Sequence, residues 1–123
     1  MSPVEKRQAV DNCFEEYQAN VERTLAEHED QNFGLAILAL GLTGESGEAA
    51  DIIKKVVGHK HPFDEEASIK LLAELGDILW YVTAIASTLD LGLDAVVKYN
   101  VEKLRRRYPE GFSTERSLNR EDG

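Results

Sequence analysis

Two acidic pairs lie within otherwise apolar segments of the chain. Glu45 and Glu48 form the first pair, and Glu74 and Asp77 form the second, each with a spacing of three residues. This spacing places both carboxylates of a pair on one side of an α-helix. At about 100° per residue, each pair also lies on the apolar half of its helix. The first half-wheel contains Leu38, Leu42, Ala49, Ile52 and Val56, and the second contains Ala67, Leu71, Ile78, Val82, Ile85 and Leu89.

Four carboxylates that face a helical core would repel one another and lose hydration, at a cost of several kcal/mol each. A divalent cation would compensate, and Mg²⁺ prefers hard oxygen ligands. We therefore predict that Glu45, Glu48, Glu74 and Asp77 bind Mg²⁺, with Mn²⁺ as a possible substitute. A purely structural role for these acids is the alternative. A diiron carboxylate site is disfavoured because neither pair contains the expected histidine.

Basic residues in the last apolar segment supply the complementary charge. Asn100, Lys103 and Arg107 share one helical face with several apolar residues, whereas Arg105 and Arg106 point away from it. An inward lysine and arginine suit phosphate oxygens, one as a point charge and the other as a planar fork. Lys55 is a further candidate on the inward side of its helix. Alternatively, these long side chains extend from the edge of the core into water.

The elements that must position these residues are helices, and we find no convincing strand. Helix signals and apolar periodicity define four segments. Glycines at 41, 44 and 47 weaken helix propensity by roughly 1 kcal/mol each, so we expect a break near Thr43 and Gly44. The helices are predicted from near Pro3 to the acidic stretch at 27–30, from about Asn32 to Val57, from after the N-cap Asp64 to about Leu89, and from Gly92 to about Tyr108.

The third predicted helix is apolar nearly all round. Leu72, Leu75, Leu79 and Trp80 lie outside the stripe that carries Glu74 and its partner acid. Such a helix is usually central or covered by a partner subunit. Because one small subunit can hardly cover every face, we predict a homo-oligomer.

The composition indicates one soluble all-α domain over residues 1–112, followed by a loose polar tail over 113–123. The formal net charge of −9 argues against a general nucleic-acid binder. The longest apolar run, Leu35 to Leu40, is too short to span a membrane. A lone cysteine, Cys13, rules out an intramolecular disulfide and suits a reducing compartment. We expect a cytoplasmic protein.

Three segments, taken in order, resemble a known family. They are the run 41–55 around Gly44-Glu45-Ser46-Gly47-Glu48, the motif Glu74-Leu75-Gly76-Asp77, and the run 100–112 from Asn100 to Phe112. Together they resemble the MazG-like, all-α nucleotide pyrophosphohydrolases. The resemblance covers roughly residues 14–113, and the ordered combination is more specific than either acidic motif alone.

The resemblance implies an oligomeric four-helix bundle that binds Mg²⁺ and cleaves nucleoside triphosphates to a nucleoside monophosphate and pyrophosphate. The four acids would be the metal ligands, and Lys103 and Arg107 would contact phosphate. Tyr81 and Asn100 would border the nucleoside. Family members assemble as homodimers or as dimers of dimers (homotetramers), with the active site near a subunit interface.

One departure from the family pattern leaves the general base open. Many members have two adjacent glutamates in the first motif, whereas Gly44 precedes Glu45 here. We assign Glu45 a catalytic role as the residue that both ligates metal and orients the attacking water.

The sequence thus predicts a nucleoside triphosphate pyrophosphohydrolase that cleans or controls the nucleotide pool. A dUTP- or dCTP-preferring enzyme and a phosphoribosyl-ATP pyrophosphohydrolase are alternatives within that class. A non-catalytic helical sensor that binds nucleotide or metal is the alternative outside it.

Overall fold

The computed structural model describes residues 3–120, with side chains from Cys13 onward. The first two residues of the predicted domain and the last three of the predicted tail lie outside this range. The described chain contains helices and no β-strand, which confirms the all-α prediction. The helices are α1 (Pro3–Thr24), α2 (Gln31–Gly58), α3 (Glu65–Thr88), α4 (Leu93–Arg107) and α5 (Thr114–Leu118).

Aspartates begin both long central helices. The Asp30 carboxylate accepts hydrogen bonds from the backbone N–H groups of Asn32 at 2.9 Å and Phe33 at 3.4 Å. Asp64 accepts one from the N–H of Ala67 at 2.9 Å, so it is the N-cap that the sequence predicts. These bonds satisfy donors that the first helical turn leaves unpaired. They fix where α2 and α3 start, and therefore how many turns separate the acidic residues from each helix N-terminus.

The predicted break near Thr43 and Gly44 is wrong, because α2 continues through both residues to Gly58. The Thr43 hydroxyl donates to the carbonyl of Ala39 at 3.0 Å within the continuous helix. The helix-propensity cost of roughly 1 kcal/mol per glycine is smaller than the stabilisation that a long helix gains from tertiary packing. The first acidic pair consequently lies in the middle of a regular helix.

The C-terminal tail has more structure than the sequence predicts. The chain turns after α4, where Gly111 adopts φ +91°, a conformation that glycine tolerates best. Ser113 then accepts a hydrogen bond from the backbone N–H of Arg116 at 3.2 Å and starts α5. The tail from 113 is therefore partly helical, and α5 lies beside the end of α4.

The core lies where α1, α2 and α3 meet. α2 and α3 form the most extensive helix pair, and α1 packs on α3 and α4. Val21, Leu38 and Ala84 are buried at the centre, one from each helix of the first three. The half-buried side chains around them are Tyr17, Leu25, Trp80, Tyr81 and Ile85.

A single amide side chain joins three helices. The Gln18 Nε2 group on α1 donates to Ser87 Oγ and to the carbonyl of Leu91, both at 2.9 Å. Its Oε1 accepts from the backbone N–H of Leu93 at 2.9 Å. Gly92, the N-cap of α4, has no side chain with which to satisfy that donor. Gln18 therefore caps α4 from a distance and fixes the end of α3 against α1.

One face of α3 remains uncovered in the single chain. Leu72, Leu75 and Leu79 are 71%, 52% and 45% exposed. These are the apolar residues that the sequence places outside the acid-bearing stripe. Within the described residues, none of the helices combines the length and apolar character needed to cross a membrane.

Candidate metal centre

Three of the four predicted metal ligands come together between α2 and α3. Carboxylate oxygens of Glu45, Glu48 and Glu74 lie within 4.8 Å of one another. Glu45 and Glu48 are one turn apart on α2, and Glu74 approaches them from α3. Among the described residues, no lysine or arginine forms an ion pair with these carboxylates. We call these three residues the carboxylate trio.

The trio is electrostatically unfavourable without a cation. One oxygen each of Glu45 and Glu74 is buried and has no hydrogen-bond partner. The pKa of Glu74 is raised from 4.5 to about 7, chiefly by the hydrogen bond to Glu45, then by burial and by Glu48. Close carboxylates favour one shared proton over full ionisation. Unpartnered hard oxygens in such a group fit a divalent cation such as Mg²⁺.

Asp77 lies one turn after Glu74 on α3, outside the carboxylate trio. Its side chain is exposed, and its charge acts on Tyr17 of α1. The pKa of the Tyr17 phenol is raised, first by burial and second by the negative charge of Asp77. Asp77 therefore lies one turn from the trio along α3, and its charge also acts on Tyr17 of α1.

The predicted phosphate-binding residues lie on α2 and α4. Lys55 pairs with Asp51 at 2.9 Å on α2, two turns beyond Glu48. On α4, Asn100 is exposed, whereas Lys103 and Arg107 are half-buried. Arg107 lines a cavity between α4 and α5, and none of the acidic trio lines that cavity.

Tyr81, the predicted nucleoside neighbour, lies against the backbone of Gly41 on α2. Its ring packs edge-on to Trp80, with centroids 5.0 Å apart, and the Trp80 Nε1 group donates to Thr24 Oγ1 at 3.0 Å. Both aromatic residues line a cavity of about 630 Å³ between α3, the start of α2 and the α1–α2 loop. Tyr81 lines the cavity and also contacts Gly41, which precedes Glu45 by one turn. The cavity therefore borders the same α2–α3 interface as the trio.

The sequence interpretation missed a group of arginines at the other end of the chain. Arg106, Arg107, Arg116 and Arg120 line one cavity of about 590 Å³ between α4 and α5. The signal was in the sequence, since five of the seven arginines lie between positions 105 and 120. The sequence predicts a loose tail where α5 forms, so it does not indicate that these arginines meet.

The MazG nucleotide pyrophosphohydrolase domain matches residues 33–112, which include both acidic pairs and almost all of α2, α3 and α4. The chain belongs to the MazG nucleotide pyrophosphohydrolase family. The resemblance read from the sequence is thereby confirmed, and the trio lies within the matched MazG segment.

Two relatives of this MazG protein come from different sources. Gene 37 protein of Mycobacterium phage L5 is 40% identical over 79 residues, which cover 63% of this chain and 69% of the phage protein. The uncharacterized protein YpjD of Bacillus subtilis (strain 168) is 27% identical over 84 residues, 68% of this chain and 76% of YpjD. No solved structure is significantly similar to the chain.

Proposed function

We propose that the chain is a divalent-metal-dependent nucleoside triphosphate pyrophosphohydrolase. It would cleave ribo- or deoxyribonucleoside triphosphates to a nucleoside monophosphate and pyrophosphate, and so remove unwanted nucleotides from the pool. The observation that carries this proposal is the carboxylate trio with its two unpartnered buried oxygens, located inside the MazG segment. Hydrolysis of a phosphoanhydride mainly requires charge neutralisation and an aligned water, and such a site suits both needs.

Glu45, Glu48 and Glu74 would hold the cation, with Asp77 as a fourth ligand from the next turn of α3. All four side chains offer only oxygen atoms, a donor set that suits Mg²⁺ and also Mn²⁺. A bound divalent cation supplies charge neutralisation at phosphate oxygens and lowers the pKa of a coordinated water. Glu45 would also orient that water. In family members with two adjacent glutamates, this role can fall to the extra glutamate, whose position is occupied by Gly44 here.

The remaining substrate contacts are proposed from side chains near the trio and on α4. Tyr81 would border the nucleoside, because it lines the 630 Å³ cavity on the seam that carries the acids. Asn100 would contribute a further polar contact, and Lys103 and Arg107 would offset charge on the pyrophosphate leaving group. Lys55 would reach a phosphate only by exchanging or sharing its ion pair with Asp51.

A homodimer or homotetramer is part of the proposal. In one chain, α3 exposes Leu72, Leu75 and Leu79 along one face, opposite the side that carries Glu74. A second copy would cover this leucine face and remove its apolar surface from water. The sites of two copies would then share a rigid helical framework.

Product analysis tests the proposed reaction. A panel of nucleoside and deoxynucleoside triphosphates is incubated with and without Mg²⁺, and products are separated by ion-exchange chromatography. Wild type and Glu16→Gln, an exposed acid on α1, should release monophosphate and pyrophosphate. Glu48→Gln should lose at least most of this activity, because it removes one charged ligand of the trio.

The same panel, extended with phosphoribosyl-ATP, separates the alternatives. A strong preference for dUTP or dCTP would identify an enzyme specific for that nucleotide. Turnover of phosphoribosyl-ATP alone would identify a phosphoribosyl-ATP pyrophosphohydrolase instead. Diphosphate with orthophosphate as products would contradict the proposed cleavage position. Triphosphate that binds but stays intact with every metal would favour a nucleotide sensor over an enzyme.

A further inference from the structure

We propose that the cavity between α4 and α5 binds a polyphosphate anion through its arginines. The cavity is lined by Arg106 and Arg107 at the end of α4, by Arg116 in α5 and by Arg120 just after it. Of the acidic residues that the structure describes, Glu115 alone lines it, beside Ser113 and Asn119. We call this group the arginine cavity.

The charge of the arginine cavity is opposite to that of the protein. Among the described residues that line it, four arginines outnumber one glutamate, whereas the whole chain carries a formal charge of −9. Placing like charges together is unfavourable unless something compensates them. The C-terminal end of α4 favours cations in its last turn, which accounts for Arg106 and Arg107 in part. It does not account for two further arginines in the same cavity.

For three of these arginines, no carboxylate of the described residues supplies the compensation. Within residues 3–120, no ion pair joins a carboxylate to Arg106, Arg116 or Arg120. The Ser113 hydroxyl accepts a hydrogen bond from the N–H of Arg116, so its own proton is still available to an anion. The cavity thus offers planar, charged donors together with a neutral one, all near the surface.

The chemistry of these donors selects the class of ligand. A guanidinium binds phosphate through two parallel hydrogen bonds, which gives both strength and orientation. A single phosphate group presents too few oxygens to engage the forks of Arg106, Arg116 and Arg120 together. A chain of two or three phosphates matches both the number of donors and a cavity of about 590 Å³. Pyrophosphate and the tail of a nucleoside triphosphate share this chemistry.

The local fold creates the cavity by turning the chain back on itself. The turn contains Gly111 at φ +91° and the packed rings of Tyr108 and Phe112, whose centroids are 5.4 Å apart. This reversal places arginines separated by about ten positions in sequence around one space. The choice of polyphosphate over another polyanion rests on the proposed function, since pyrophosphate is its product.

Calorimetric titration with inorganic pyrophosphate in EDTA tests the site in the full chain, without metal and without turnover. The informative variant is Arg116→Gln/Arg120→Gln, and the matched control is Arg105→Gln, an arginine of α4 that does not line the cavity. Wild type and control should bind pyrophosphate alike and orthophosphate more weakly. The double variant should bind pyrophosphate roughly tenfold more weakly or worse, because it loses two charge-assisted contacts.

A second measurement uses only the wild-type chain. Phenylglyoxal modifies accessible arginines, and pyrophosphate should protect Arg116 and Arg120 but not Arg105, as read by peptide mass spectrometry. A non-hydrolysable nucleoside triphosphate that displaces pyrophosphate with similar affinity would assign the site to the triphosphate tail. Failure to displace it would assign the site to free pyrophosphate.

Two results would overturn the proposal. One is pyrophosphate binding that is the same in wild type and the double variant, with no protection of Arg116 or Arg120. The other is an equal loss in Arg105→Gln, which would reduce the effect to general surface charge. Because these titrations involve no hydrolysis, an absence of catalytic turnover would contradict the proposed reaction and leave this binding result unchanged.

Discussion

The backbone of Gly41 on α2 lies directly against the phenol ring of Tyr81 on α3. A methyl group at position 41 would overlap the Cε1 and Cζ atoms of that ring. The contact lies one turn from Glu45 on α2 and one turn from Asp77 on α3. Glycine at 41 thus lets the two acid-bearing helices approach closely at the edge of the carboxylate trio.

Replacing Gly41 should therefore destabilise the protein although it improves helix propensity. We expect Gly41→Ala to lower the free energy of unfolding by about 1–3 kcal/mol, less a propensity gain of up to about 1 kcal/mol. Gly44→Ala is the matched control, since no atom lies near its added methyl group, and it should be neutral or stabilising. Urea denaturation of both variants measures the difference. Equal stability of the two variants would show that the ring of Tyr81 moves aside at little cost.

Stability of the metal-free protein should fall as pH rises toward neutrality. Glu74 has a pKa of about 7 in the folded chain against 4.5 as its ordinary value, so the folded state holds this proton more tightly than the unfolded state. The resulting stabilisation is complete below 4.5 and is lost as the pH rises through 7. Glu74→Gln resembles the protonated acid and should lack this dependence.

Thermal unfolding in EDTA over that pH range measures the effect. The Tm of Glu74→Gln minus that of wild type should increase from acid to neutral pH, while Glu16→Gln should follow wild type. A constant difference between Glu74→Gln and wild type would contradict the raised pKa.

Mg²⁺ should stabilise the folded chain in proportion to its binding. At a metal concentration one hundred times Kd, linkage gives about 2.7 kcal/mol. Glu48→Gln should lose most of this stabilisation, and Asp77→Asn should weaken it if Asp77 is the fourth ligand. Thermal unfolding with increasing MgCl₂ or MnCl₂ provides the measurement, with Ca²⁺ and NaCl as ionic controls. The same Mg²⁺ shift in wild type and Glu48→Gln would argue against the trio as the binding site.

Gln18 should contribute strongly to stability through its three hydrogen bonds between helices. Gln18→Leu keeps similar bulk but leaves the Leu93 N–H and the Leu91 carbonyl without this partner. We expect a loss of about 2 kcal/mol, since each bond contributes about 1 kcal/mol and unpaired groups add to the cost. Asn20→Ala removes only a local bond to the carbonyl of Glu16 and should cost much less. Urea denaturation compares them, and similar losses would refute a special role for Gln18.

The leucine face of α3 should set the oligomeric state. Leu75→Glu places a charge in the middle of that face and should shift a dimer or tetramer toward monomer in analytical ultracentrifugation. Leu118→Glu alters an exposed leucine on α5 and serves as the control. A wild-type chain that sediments as a monomer at all concentrations would contradict the proposed assembly.

The sequence predicts the helices well because their signals are local. Asp64 at the start of α3 acts through the neighbouring backbone N–H of Ala67, so its effect can be read without a fold. Gly44 misled the prediction because helix propensity is a weak local preference. Contacts between α2 and α3, which are not local, keep the helix continuous there.

The same distinction applies to the candidate site. Spacing alone pairs Glu45 with Glu48, and Glu74 with Asp77, because one helical turn joins each pair. Only the packing of α2 on α3 decides that Glu74 joins the first pair while Asp77 lies near Tyr17. Residues on separate helices meet according to the depth and rotation of each helix, which side-chain shapes such as Tyr81 against Gly41 determine.

By itself, the sequence determined an all-α chain with two acidic turns on apolar faces, and it placed five of the seven arginines between positions 105 and 120. It also carried the motifs of the MazG family. The tertiary structure decided which carboxylates form the trio, and it gathered Arg106, Arg107, Arg116 and Arg120 around one cavity. The physical reason is that helix formation depends on neighbours along the chain, whereas charge clusters depend on where packing and the turn at Gly111 bring distant residues.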